Sequence, residues 1–256
     1  MTDAVYSARA YFPRGLAQPP GSFRFSADAL LLASFALRHC LPETGGTVLD
    51  LGCGCGVVAL ACLLGDSRLQ GAGVDAQPDL VAAARENAVR LGLERVFTAA
   101  VMDLAATADR ERLAKGGYSP VLANMPFRAS GSGRLPRDAS RRKALFADEA
   151  TMPAFLAAAK HALAPDGSFA LIYPWDNRER LLHALEEHGF APVALLPVRT
   201  GTPDGARCCI RAVHAHPGSG GVTVLPPLVL RAGKGGPYTG EAIAFCPWLA
   251  EGAGAV

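Results

Sequence analysis

The run Thr47-Val48-Leu49-Asp50-Leu51-Gly52-Cys53-Gly54-Cys55-Gly56 constrains this chain more tightly than any other ten residues. A short β-branched and apolar stretch meets three glycines at alternating positions, and Val57 to Leu64 follows with the Ala- and Leu-rich composition of a helix. The run reads as strand, glycine turn, helix. The pattern then recurs. Gly71 to Val74 predicts a second strand ending at Asp75, and Asp79 to Leu91 a helix with apolar spacing Leu80, Ala83, Ala84, Asn87, Leu91 and Gly92 as its stop. Val96 to Val101 is a third strand ending near Asp103, and Ser119 to Ala123 a fourth ending at Asn124. Past an irregular segment, Arg128 to Lys143, come a helix (Met152 to Leu163), the Pro165-Asp166-Gly167 turn, a strand (Ser168 to Tyr173) and a helix (Arg178 to His188) capped by Gly189. Pro192 to Val198 and Arg207 to His214 are expected as an antiparallel hairpin at the sheet edge. Strands and helices alternating at this spacing predict an α/β fold with a doubly wound, mainly parallel sheet.

Composition bounds the rest. Half of the 256 residues are apolar and 19% are charged, so a packed core is expected, in one domain over 1–256 with an N-terminal segment of about 1–40 and a tail of about 222–256 packed on it. No repeat is evident, and Pro217 to Gly221 is too short for a linker. No apolar run approaches the roughly eighteen residues of a membrane span, and Met1 to Gly15 lacks a hydrophobic signal core, which predicts a cytoplasmic protein. The seven cysteines include no CxxC pair and sit mostly in apolar runs, so reduced, mostly buried thiols are expected. Cys53, Cys55, His214 and His216 lack zinc-ligand spacing, and no metal is expected. The net charge of +2 excludes a strongly basic coat. It conceals an uneven distribution: Arg128, Arg134, Arg137, Arg141, Arg142 and Lys143 against Asp138 give residues 128–143 a charge of +5, leaving −3 elsewhere. That stretch is either a solvated loop or a grip on RNA phosphates.

Glycine at a strand-to-helix turn lets the backbone approach a ligand, since no side chain intervenes and positive φ is accessible. The spacing is Gly-x-Gly-x-Gly, and Val57 falls where the dinucleotide pattern needs its third glycine. Asp75, followed by Ala76, ends the second strand, where a carboxylate can accept from both ribose hydroxyls. Asp50, Gly52, Cys53, Gly54, Gly56, Asp75 and Ala76 therefore predict an adenosine ligand and favour S-adenosylmethionine over NAD. The competing reading is a tight turn serving helix packing. Asp103 is a candidate for the adenine amine, or an ordinary acid of a surface loop.

The fourth strand ends in Asn124-Met125-Pro126-Phe127, which resembles the Asn/Asp-Pro-Pro-Tyr/Phe motif of class I methyltransferases that act on planar amino groups. A conjugated amine is a poor nucleophile because its lone pair is delocalised. The Asn124 side-chain oxygen and the Met125 carbonyl would accept its hydrogens and aim the lone pair at the methyl, Pro126 would fix the backbone, and Phe127 would stack on the base. Met125 stands where proline is usual, which keeps the carbonyl and loses the rigidity. Gln18-Pro19-Pro20-Gly21-Ser22-Phe23-Arg24-Phe25-Ser26-Ala27-Asp28 through Leu32 is similar to the N-terminal segment of the bacterial tRNA(Val) N6-adenine methyltransferase family. Leu228-Val229-Leu230-Arg231 and Tyr238-Thr239-Gly240-Glu241 resemble that family's ending, so the likeness spans nearly the whole chain.

The resemblance implies a Rossmann-like class I fold with a seven-stranded sheet, helices on both faces and an N-terminal segment enclosing S-adenosylmethionine. Arg24 and Asp28 would serve the cofactor, form an ion pair or cap a helix. It also implies a tRNA or other structured RNA as partner, with N6-methyladenine beside the anticodon as product. Guanine N2 in ribosomal RNA, a protein glutamine side chain, and a non-catalytic cofactor- or RNA-binding role remain open alternatives.

Overall fold

The computed structural model describes residues 2–22, 24–125, 128–129, 146–147, 150–200, 206–216, 221–233 and 235–252. In chain order the elements are α1 (Asp3–Ala10), α2 (Ala27–His39), β1 (Gly46–Leu51), α3 (Val57–Gly65), β2 (Leu69–Asp75), α4 (Pro78–Arg90), β3 (Phe97–Val101), α5 (Thr107–Arg110), β4 (Val121–Ala123), β5 (Arg128–Ala129), β6 (Phe146–Ala147), α6 (Thr151–Ala162), β7 (Phe169–Pro174), α7 (Arg178–Glu187), β8 (Phe190–Arg199), β9 (Arg207–His214), β10 (Thr223–Val224), β11 (Leu228–Val229), α8 (Gly240–Phe245) and α9 (Trp248–Gly252).

Among the described residues the sheet has nine strands where seven were expected, ordered β10-β8-β9-β7-β4-β1-β2-β3 with β11 also paired to β8, and β9 runs antiparallel to both its neighbours. This is the expected doubly wound α/β architecture, with one correction at its end. The β8–β9 hairpin does not form the edge, because β10 and β11 both pair in parallel with β8. A ten-residue strand left open would present a row of unpaired N–H and C=O groups, and the chain's own tail covers part of it. A second departure concerns Arg128–Ala129, expected in an irregular segment, which pairs in parallel with Phe146–Ala147.

The sheet divides two cores by the period of two. Along β7, Phe169, Leu171 and Tyr173 enter one core while Ala170 and Ile172 enter the other, and along β1 Leu49 and Leu51 oppose Val48. The Val48 side is filled by α2, α3 and α4, the Leu49 side by α6 and α7. Helix α3 is buried from Val57 to Leu63, since it lies between α2 and the sheet. The end of α4 is set by Gly92, whose φ of +63° lets Leu93 N–H reach back to the Ala88 carbonyl at 2.8 Å.

Candidate functional site

Register places the site. Leu51 pairs with Val74 on one side and Ala123 on the other, and Asp75 pairs with Val101. The residues at or just beyond these ends, Gly52, Asp75, Asp103 and Asn124, therefore form a row along the C-terminal edge of four adjacent strands. The order 3-2-1-4 puts the topological switch point between β1 and β4, hence between Gly52 and Asn124. Ligands of open α/β sheets bind in that crevice.

The glycine loop divides its labour. Gly52, Gly54 and Gly56 have φ of +68°, +56° and +86°. A Cβ on Gly54 would meet nothing within 4 Å, so this glycine faces open space. A Cβ on Gly52 would lie 2.9 Å from Cζ of Phe155, whose ring leans over the loop from α6. Gly56 instead faces inward, where a Cβ would lie 3.1 Å from Ala84 Cβ. Gly54 thus faces open space, Gly52 makes room for the Phe155 ring, and Gly56 lets α3 approach α4. The packing reading of the turn holds for Gly52 and Gly56, and Gly54 alone of the three is left open.

Two carboxylates hold the loop. Asp75 accepts from Gly54 N–H at 3.0 Å through Oδ2 and from Gln77 N–H at 2.9 Å through Oδ1. Asp50 is 1% exposed and accepts from Ala59 N–H at 3.3 Å. Gly56 offers no side chain to cap α3, and the Asp50 carboxylate supplies that acceptor from the preceding strand. Burial pushes its pKa up to about 7, against the opposing pull of the Ala59 N–H, with the Asp75 charge adding to the rise. The flanking thiols are packing groups: burial pushes Cys55 up to about 12 and Cys53 well above its ordinary value. All seven cysteines are free and buried, as expected.

Asn124 is half-buried immediately past β4. The Met125 side chain, 1% exposed, lies in the core with Leu51 and Ala123, so the residue that replaces the usual proline turns its thioether away from the crevice. Pro126, Phe127, Arg134, Arg137, Arg141, Arg142 and Lys143 lie outside the described residues, as does the side chain of Arg128. Asp103 is exposed and organises a turn: its Oδ1 accepts from Ala105 N–H at 3.0 Å and its own N–H donates to Asp109 at 2.8 Å. Ala76, half-buried, connects Asp75 to the start of α4.

For Arg24 and Asp28, read as serving the cofactor, forming an ion pair or capping a helix, the structure shows an ion pair of Asp28 with another partner. Asp28 is bound by Arg207 Nε at 3.1 Å, and Ser26 supplies the cap of α2 by accepting from Asp28 N–H. Arg24 is exposed and borders a cavity of about 350 Å³ with Gln18, Phe25 and Tyr238; none of residues 52–56 lines it. Arg207 begins the antiparallel strand, so a residue remote in sequence faces α2, and no local pattern announces it. Cys53 and His214 lie at opposite ends of the strands. His214 faces Lys160 Nζ at 3.0 Å and the Leu163 carbonyl at 3.1 Å. Among the described residues no group of three or more His, Cys, Asp or Glu side chains could hold a metal, and no helix is long and apolar enough to cross a membrane.

Comparison with known proteins agrees with this geometry. A model of the methyltransferase small domain matches residues 17–188. A tRNA1(Val) (adenine(37)-N6)-methyltransferase of Parabacteroides distasonis is 25% identical over 171 residues, which cover 67% of this chain and 68% of that protein. A release factor glutamine methyltransferase of Rhodospirillum rubrum is 36% identical over 104 residues, covering 41% of this chain and 29% of that protein. Among solved structures, a protein of Agrobacterium tumefaciens described as a predicted O-methyltransferase superposes with a TM-score of 0.66 at 16% identity, over 87% of this chain and 96% of that one. A SAM-dependent methyltransferase of Aquifex aeolicus gives 0.51 at 16% identity, over 73% and 93%. At these identities the structures speak to the fold.

Proposed function

The chain belongs to the methyltransferase small domain family and is an S-adenosylmethionine-dependent methyltransferase, and from that premise we propose that it methylates the exocyclic N6 amine of an adenine in tRNA, in the anticodon loop. The observation that carries the proposal is the position of Asn124, first residue past β4, across the switch point from Gly52. The crevice fits the cofactor: Gly54 faces open space, Gly52 offers backbone without a Cβ, and the Asp75 carboxylate holds Gly54 N–H at the end of the neighbouring strand. Gly52, Gly54, Asp75 and Ala76 would hold it, with Asp50 acting through the loop it caps. When bound, S-adenosylmethionine supplies an electrophilic methyl on a sulfonium.

The chain's own contribution is orientation. The Asn124 side-chain oxygen and the Met125 carbonyl accept the amine hydrogens and so expose a lone pair that conjugation would otherwise occupy. The buried Met125 side chain anchors that backbone in the core, which replaces the stiffness of a proline pair by packing. In this reading Phe127 stacks on the base, the basic residues from Arg128 to Lys143 hold phosphates, and the acceptor RNA approaches along the same edge. The adenine reading is supported by a relative that shares two thirds of its length with this chain.

A second reading, methylation of a glutamine side chain in a protein, is favoured by the shorter and more identical match to a release factor glutamine methyltransferase. Both substrates present a planar amino group conjugated with a π system, so Asn124 serves either. One experiment separates them. The protein is incubated with methyl-labelled S-adenosylmethionine, bulk tRNA and release factors, and the products are resolved as nucleosides and peptides. Label in N6-methyladenosine is expected, with Asn124→Ala lowering turnover by about 10²- to 10³-fold at unchanged S-adenosylhomocysteine affinity. Label confined to methylglutamine or to methylguanosine overturns the adenine assignment.

A further inference from the structure

Asn87 stands on the apolar stripe of α4 among Leu80, Ala83, Ala84 and Leu91, and its side chain is fully buried. Its Nδ2 donates to the Cys55 carbonyl of the glycine loop and to the Ala17 carbonyl, both at 3.0 Å. Its Oδ1 accepts from Ala17 N–H at 2.6 Å. One amide thus holds both backbone groups of a residue seventy positions away and the loop beneath the cofactor crevice. Ala17 offers a donor and an acceptor, so rotating the amide by 180° would break both bonds; its orientation is dictated.

The rest of α4 continues the attachment one turn on. Arg90 Nη1 donates to the Gly15 carbonyl at 2.8 Å, and the Leu91 carbonyl accepts from Arg9 Nε at 2.7 Å. These bonds fasten residues 9–17 to the helix and stop there. Asn87 alone among them also reaches the loop. The same helix begins three residues after Asp75, so the carboxylate that holds Gly54 and the amide that holds Cys55 lie on consecutive elements, β2 and α4.

We infer that Asn87 is a positioning residue that couples the N-terminal segment to the glycine loop, so that filling the cofactor crevice tightens residues 11–26 and loosening that segment weakens cofactor binding. The inference rests on the reading that the loop of residues 52–56 holds the cofactor. The physical basis is reciprocity: two sites that share one buried hydrogen-bonding group bias each other by the same factor, ordinarily about 5- to 150-fold. Without the amide, the Cys55 carbonyl and both backbone groups of Ala17 lose their buried partner, and the two segments no longer move together.

The test reads cofactor affinity and segment exposure in parallel. S-adenosylhomocysteine binding is measured by calorimetry, and tryptic cleavage after the exposed Arg14 and Arg24 is followed with and without that ligand. In the wild-type protein the ligand is expected to slow both cleavages about tenfold. In Asn87→Ala affinity should fall about tenfold and the protection should disappear. Ala17→Pro removes the N–H that Asn87 accepts while leaving the helix untouched, and decides the matter if the first variant does not fold. It should lower affinity about fivefold and reduce protection below twofold. Affinity within twofold of wild type together with full protection in a folded variant overturns the coupling. Gly54→Val is the separate control: if it retains wild-type affinity, the assignment of the loop to the cofactor fails, whatever Asn87 does.

Discussion

The glycine loop and the N-terminal segment meet at the Asn87 amide, yet they are held by different means. Residues 52–56 carry their conformation in their own chemistry, because three positive φ angles within five residues suit glycine and little else. Residues 11–22 carry two positive-φ glycines, Gly15 and Gly21, which shape turns but do not say where the segment lies against the rest of the chain. Their attachment to α4 comes from Asn87 and Arg90, about seventy residues away, and Phe12 is held by the core. The loop should therefore fail through single substitutions within it, whereas the segment should fail through substitutions elsewhere.

The largest effect is expected inside the loop, where the glycines can be set against each other. Gly56→Ala combines left-handed strain with the close approach to Ala84 and should cost about 2–4 kcal/mol in urea unfolding. Gly54→Ala suffers the strain alone and should cost about 1–2 kcal/mol, because nothing occupies the space its Cβ enters. Equal losses would remove the distinction between a packing glycine and a ligand-facing one.

Next in size is the pH dependence set by Asp50. Its pKa rises from 3.8 to about 7 in the folded protein, so between those values the native state binds more protons than the unfolded chain. Its contribution to stability is full below about pH 4 and is lost as the pH climbs through about 7. Asp50→Asn keeps an acceptor for Ala59 N–H and removes the titration. The difference between variant and wild type should move in the variant's favour by up to about 1.4 kcal/mol per pH unit across that window, measured by denaturant titration at several pH values. A difference that stays flat with pH contradicts the burial of this charge.

The smallest change belongs to the segment. Arg90→Ala removes the bond to the Gly15 carbonyl from a side chain about half exposed, and should cost about 0.5 kcal/mol while speeding cleavage after Arg14. A loss comparable to that of Gly56→Ala would mean that the segment is as locally determined as the loop.

Much of the fold was legible from the sequence because its signals are local. The alternation of β-branched runs with helical stripes, and glycines at 52, 54, 56, 92 and 189, mark element ends through backbone conformation, and all five adopt positive φ. The row of Gly52, Asp75 and Asn124 was legible for the same reason, since each ends a recognisable strand. What escaped depends on contacts between remote segments. Asn87 could have been found as the polar residue on an apolar stripe, a position that requires buried partners, although nothing in the sequence names Ala17 and Cys55 as those partners. Phe155 is one apolar residue among many on α6, and only packing brings its ring to Gly52. Asp28 pairs with Arg207 instead of Arg24 because the antiparallel β9 delivers its first residue to the C-terminal edge beside α2.

By itself the sequence determined where the chain turns, which residues end the strands and which chemistry stands at those ends, because φ restriction, side-chain period and hydrogen-bonding type are properties of the residues themselves. Tertiary structure decided that the tail covers β8, that Met125 points into the core, that Asp50 caps a helix and that one buried amide ties the N-terminal segment to the loop. Each of those outcomes follows from burial, which leaves a polar group needing a partner and an apolar one needing neighbours, and the identity of both is settled only when distant segments are brought together.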